Sequence, residues 1–89
     1  MTMAGNGLVK LLEELGELAQ VAAKKLAYMQ TDMHPDGKSL KARMEEEMAD
    51  VYAACSFVTA QFGLDDSKMN ARVKRKLELF NEWHARIDN

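Results

Sequence analysis

Cysteine and proline are almost missing from this chain, with Cys55 and Pro35 the sole representatives of each. A single thiol closes no intrachain disulfide and builds no thiolate metal knuckle, and it fits a reducing compartment. Long apolar runs are lacking too: nothing approaches the roughly 20 residues of a membrane span. Met1 to Asn6 offer neither the basic nor the apolar stretch of a signal peptide, so the expectation is a cytoplasmic protein without membrane contact. Nor does either sign of charge dominate. Twelve Lys and Arg stand against 14 Asp and Glu, a net charge of -2 with no global pull toward nucleic acid polymers or anionic lipid. Any anion binding is therefore local. The 89 residues suffice for one domain, 1–89, that buries a modest fraction of its surface, and oligomerisation is the expected remedy.

What is present is helical periodicity. The lone proline sits in the stretch densest in turn formers, Thr31 to Gly37, which reads as a loop between two long periodic segments. Gly63 after Phe62 reads as a helix C-cap, and Asp65 and Asp66 offer an N-cap for a further helix. The spacing predicts an all-α chain of three helices, about Gly7 to Gln30, Lys38 to Phe62 and Asp66 to Ile87. In the first, Leu8, Leu12, Leu15, Ala19, Ala22, Leu26 and Met29 step by four and three, a seam that needs a packing partner. In the second, Leu40, Met44, Glu47, Val51, Ala54 and Val58 keep the same rhythm with a glutamate among them. The third carries Met69, Val73, Leu77, Phe80, Trp83 or His84, and Ile87 on one side, with Arg72, Lys74, Arg75 and Lys76 around them.

The glutamate in the seam is the anomaly. Residues three apart on a helix lie about 60° apart in azimuth and one turn along, so Glu14 and Glu17 share a direction, as do Glu47 and Asp50. A short loop makes the first two helices antiparallel neighbours, and both pairs lie near mid-helix, so they meet at the same height. Glu14 also lines up with Leu11, Leu18 and Val21 at the edge of an apolar stripe. Burying converging carboxylates is costly unless they are protonated or neutralised. With oxygen donors alone the fitting cations are hard ones, Mg²⁺ or Mn²⁺, which take phosphate oxygens as further ligands. Lys24 stands in the stripe of Lys10, Glu14, Glu17 and Val21, about 10 Å beyond Glu17, a reach that suits a triphosphate. Glu13, Glu45 and Glu46 read as a solvated face.

The segments Glu13-Glu14-Leu15-Gly16-Glu17 and Glu46-Glu47-Met48-Ala49-Asp50 resemble the EExxE and ExxD signatures of the all-α nucleoside triphosphate pyrophosphohydrolases, the MazG and dimeric dUTPase type. The similarity runs from about Leu8 to Trp83, and the size is that of compact MazG-like proteins of phages or bacteria. The resemblance implies that Glu14, Glu17, Glu47 and Asp50 are catalytic and hold Mg²⁺. It implies cleavage of the α–β linkage to a nucleoside monophosphate and pyrophosphate, with Glu17 combining ligation and base. It further implies a homodimer or homotetramer whose helices pair into a four-helix-bundle core. Relatives carry a lysine and an asparagine about one turn apart on the third helix, for phosphate and nucleotide. Lys76 and Asn81, five apart, or Asn70 and Lys74, four apart, answer to them here, and Arg75 to Trp83 looks most like the phage-type variant. The spacer from Glu17 to Glu47 is long for the family and enlarges the loop around His34 and Pro35.

Other residues carry less. His34 and His84 lack the Glu-x-x-His pattern of a di-iron bundle. Trp83 and Tyr28 offer rings on which a base could stack but at seam spacing read as core aromatics, the methionines as core filler and Cys55 as a small buried residue. Gly16 is costly inside a helix and would permit a close approach. The competing reading is a non-catalytic helical bundle for oligomerisation or partner binding. No motif distinguishes one base from another.

Overall fold

The computed structural model describes residues 5–31, 37 and 39–88, which hold three helices and no strand: α1 (Gly7–Ala27), α2 (Leu40–Phe62) and α3 (Asp66–Asp88). The expected loop residues His34 and Pro35 lie outside the described residues. Local chemistry sets the helix ends. At the start of α1 the Leu8 N–H donates to Asn6 Oδ1 at 2.8 Å, and α2 begins two residues later than expected because Ser39 caps it, accepting from the Ala42 N–H at 3.2 Å. The left-handed Gly63, φ 62°, closes α2 with its own N–H on Thr59 O. Of the two candidate caps for α3 it is Asp65 that acts, accepting from the Lys68 N–H at 3.0 Å. α1 stops at Ala27, three residues short of expectation, where Tyr28 leaves helical geometry and its carbonyl accepts from Thr31 N–H.

α1 and α2 form an antiparallel hairpin: the Gly7 N–H at the start of α1 donates to Gln61 Oε1 near the end of α2, at 2.7 Å. The α2 seam is as expected, with Leu40, Ala54 and Val58 buried and Met44, Glu47 and Val51 half-buried. The α1 seam is not. Facing α2 is the stripe Gly7, Leu11, Glu14, Leu18 and Val21, whereas Leu12 and Leu26 of the expected seam are 70% and 73% exposed, and Leu8, Leu15 and Met29 are exposed as well. Both stripes are apolar at helical spacing, and the hairpin uses the one that carries Glu14.

The third helix does not fold back along the hairpin. It meets the rest near its first turn, where Met69 Sδ lies 3.8 Å from Thr59 Oγ1, a hydroxyl already donating to Cys55 O at 2.7 Å. Beyond that turn Val73, Leu77, Phe80, Trp83 and Ile87 are all exposed, Trp83 by 56%. So the expected core role of Trp83 is not met within one chain, and Met29, Met48 and Met69 are likewise exposed. Gly16 has open space around it rather than a neighbour, and Cys55 is half-buried.

The consequence is a flat, extended chain. Its radius of gyration is 16.1 Å, against about 12 Å for a compact domain of this length. Its accessible surface is 7037 Å², where a compact monomer of this mass presents about 5,200 Å². The buried apolar core among the described residues is Val21, Leu40, Ala54 and Val58.

Candidate metal centre

The hairpin brings the sequence-derived acids together. Glu14 and Glu17 from α1 and Glu47 and Asp50 from α2 each offer one carboxylate oxygen, and these oxygens all lie within 4.8 Å of one another. Two helices, each contributing an i,i+3 pair at the same height, produce this convergence with no irregular backbone.

The members are not equivalent. Glu14 and Glu47 are half-buried, Glu17 and Asp50 exposed. One oxygen of each half-buried carboxylate, Glu14 Oε2 and Glu47 Oε2, is shut off from solvent with no hydrogen-bond partner. Burial is the main cause that raises the Glu14 pKa above its ordinary value, followed by Glu17 and Asp50, with Lys10 opposing. Glu47 is raised by burial first, then by Glu17 and Asp50 and by a hydrogen bond with Glu17. Ionised carboxylates only accept, so that bond exists only when one of the pair holds a proton. Burial and mutual repulsion thus act in the same direction on both groups, favouring the protonated form.

The residues fit a hard divalent cation. All four donors are carboxylate oxygens, the ligand type such ions take, and two of these carboxylates each bury an oxygen that no protein group satisfies. Thiolate and imidazole are absent from the cluster.

Around it the expected helpers divide. Lys24 is half-buried on α1, one turn beyond buried Val21. Lys76 and Asn81 stand on the exposed part of α3, away from the acids of the same chain, and Lys76 Nζ lies over the Phe80 ring at 5.6 Å from its centroid. Asn70 and Lys74 are exposed on the same helix, and so is His84. Glu13, Glu45 and Glu46 are exposed as expected, Glu13 pairing with Lys10 at 3.3 Å.

An open cleft of about 570 Å³ adjoins the acids on the side of the α1 N-terminus, lined among others by Lys10, Glu14, Asp50, Ala53, Ala54 and Phe57. Sequence reasoning did not single out Phe57. The available signal was its place seven residues, two turns, after Asp50 on the same face of α2.

No known protein family matches the chain, and no curated protein or solved structure does so. Among the described residues no helix is long and apolar enough to cross a membrane.

Proposed function

We propose that the chain is a Mg²⁺-dependent nucleoside triphosphate pyrophosphohydrolase of MazG-like type, cleaving (d)NTP to (d)NMP and pyrophosphate in nucleotide-pool sanitation. The observation that carries the reading is the pair of buried, unpartnered oxygens on Glu14 and Glu47 within a four-carboxylate cluster. Its spacing is that of the EExxE and ExxD signatures.

In this reading Glu14, Glu17, Glu47 and Asp50 hold Mg²⁺, with Mn²⁺ as a substitute. Bound there, the ion supplies a lowered pKa to coordinated water and countercharge to phosphate oxygens. The exposed Glu17 takes the proton as water oxygen bonds to the α-phosphorus and the α–β bridging bond breaks. Pyrophosphate leaves with the bond's electron pair. Lys24 binds the phosphate chain as a point charge that offsets the growing negative charge on the leaving group.

A second copy belongs to this reading. The surface in excess of a compact monomer is roughly 1,800 Å² per chain, and two chains covering it in each other reach the size of obligate interfaces. The apolar face of α3 and the unused Leu8, Leu12, Leu15 and Leu26 face of α1 are the surfaces left to cover, with a four-helix-bundle core as the outcome. Lys76 and Asn81 then reach a site from the partner's side.

Incubation with each NTP and dNTP, modified nucleotides and phosphoribosyl-ATP in Mg²⁺, with an assay for pyrophosphate, tests the proposal. Release from at least one is expected, and silence across the panel would sink it. The exposed apolar face of α3 also favours a second reading, a non-catalytic bundle, for which thermal stability is indifferent to Mg²⁺.

A further inference from the structure

The cleft beside the acids has a composition that the metal centre alone does not need. Toward one end it is acidic, at Glu14 and Asp50; toward the other it is floored by Ala53 and Ala54 and walled by the Phe57 ring. Lys10 lines it too, and its tie to exposed Glu13 is weak enough to exchange for a ligand. Seven residues separate Asp50 from Phe57, about 10 Å along the α2 axis. An α-phosphate, a pentose and a base bridge that span.

The Phe57 ring, 59% exposed, has the start of α1 against one side. Gln61, one turn further along α2, grips the chain leading into α1 at two points: its Oε1 accepts from the Gly7 N–H at 2.7 Å, and its Nε2 donates to Gly5 O at 3.1 Å. This draws the start of α1 so close that a Cβ on Gly7 would lie 2.8 Å from Phe57 Cδ1. Glycine at position 7 is what lets the backbone form one side of the ring's seat.

We propose that this cleft is the nucleoside subsite, with the base stacked on Phe57 over the Ala53–Ala54 floor, Lys10 on the phosphate chain, and Gln61 and Gly7 positioning the ring. The inference rests on the hydrolase reading and adds the surface that recognises the non-phosphate half of the substrate. Stacking on a flat aromatic face favours aromatic bases as a class over one base in particular, since every base has a π-face.

Calorimetric titration with a nucleoside monophosphate and with ribose 5-phosphate, both in Mg²⁺, tests it on wild type, Phe57→Ala and Phe57→Leu. Expected is a preference of wild type for the nucleotide over the sugar phosphate. Phe57→Ala should lose about tenfold in nucleotide affinity and show a KM for the triphosphate raised in parallel, with Phe57→Leu in between. The Mg²⁺-induced rise in Tm should stay as in wild type, which verifies folding and an intact metal centre. Active wild type with nucleotide affinity unchanged in both variants overturns the subsite and leaves the hydrolase standing. Wild type that neither releases pyrophosphate nor gains stability from Mg²⁺ overturns the hydrolase and this inference with it.

Discussion

Glu14 on α1 and Glu47 on α2 present carboxylate oxygens within 4.8 Å of each other across the hairpin, and each buries an Oε2 that nothing satisfies. Two like charges drawn in from opposite helices oppose the packing of the helices that carry them. The hairpin keeps them at a cost to its own metal-free stability.

Replacing one of them isolates that cost. Glu47→Gln keeps the shape, removes a charge and adds an amide donor that neighbouring Glu17 can accept. In EDTA its Tm, followed by circular dichroism, should lie above that of wild type. The gain on adding Mg²⁺ should shrink, and pyrophosphate release should fall by at least about a hundredfold, as for damage to a metal's support. A lower metal-free Tm would show that Glu47 is a stabilising residue and remove the main support for the metal.

The same pair fixes a pH dependence. The folded-state pKa of both Glu14 and Glu47 is raised above the ordinary 4.5. The native chain therefore takes up these protons at higher pH than the unfolded chain does. Their contribution is a stabilisation that is complete below pH 4.5 and lost as pH rises through the raised values. Urea titrations in EDTA should give higher stability just above pH 4.5 than at 7 from this source, and the Glu14→Gln/Glu47→Gln double variant should lose that part of the slope. Saturating Mg²⁺ should reverse it, because the ion needs the carboxylates deprotonated. A slope identical in wild type and the double variant would refute the assignment.

How legible this was in the sequence differs from element to element. The α2 seam could be read because Glu47 is the sole polar intruder among Leu40, Met44, Val51, Ala54 and Val58, and spacing alone places it. α1 defeated the same reasoning. It carries two apolar stripes, and periodicity cannot say which one meets α2 and which awaits something else. The hairpin takes Leu11, Leu18 and Val21, and Glu14 is thereby carried across from Glu47. The position of α3 was out of reach for a related reason: Gly63 ends α2, but no local pattern says that the helix afterwards leaves Leu77, Phe80 and Trp83 exposed instead of laying them on the hairpin. The Phe57 cleft depends on a contact between residues 7 and 61, which no local pattern encodes.

The uncovered face of α3 makes a prediction about assembly. Leu77, Phe80 and Trp83 are 55%, 55% and 56% exposed on one chain, an aromatic-rich strip of the kind that supplies the main anchors of interfaces. Sedimentation at micromolar concentration should give a mass of at least twice 10.0 kDa, and Tm should rise with protein concentration. Leu77→Glu, placing a charge in the strip, should shift the mass toward the monomer and lower Tm at every concentration. A monomeric wild type with concentration-independent Tm would mean that these side chains face water as they stand.

Gly7 offers a test of local packing independent of metal or nucleotide. A methyl at this position meets Phe57 Cδ1 and Gln61 Oε1 at 2.8 Å each, below any comfortable approach, so both side chains have to yield. Loss of the Gln61 grip forfeits its two hydrogen bonds, each worth about 0.5–1.5 kcal/mol. Rotation of the half-exposed ring costs less, and alanine recovers part of it through better helix propensity. Gly7→Ala should therefore lower Tm modestly, by about 4–8 °C for each kcal/mol lost, and weaken nucleoside monophosphate binding because the ring has turned. In a double-mutant cycle Phe57→Ala should relieve the ring's share of the Gly7→Ala penalty, leaving the Gln61 contribution. Additive penalties in the cycle would instead assign the clash to Gln61, and binding unaffected by Gly7→Ala would detach the ring's position from nucleotide recognition.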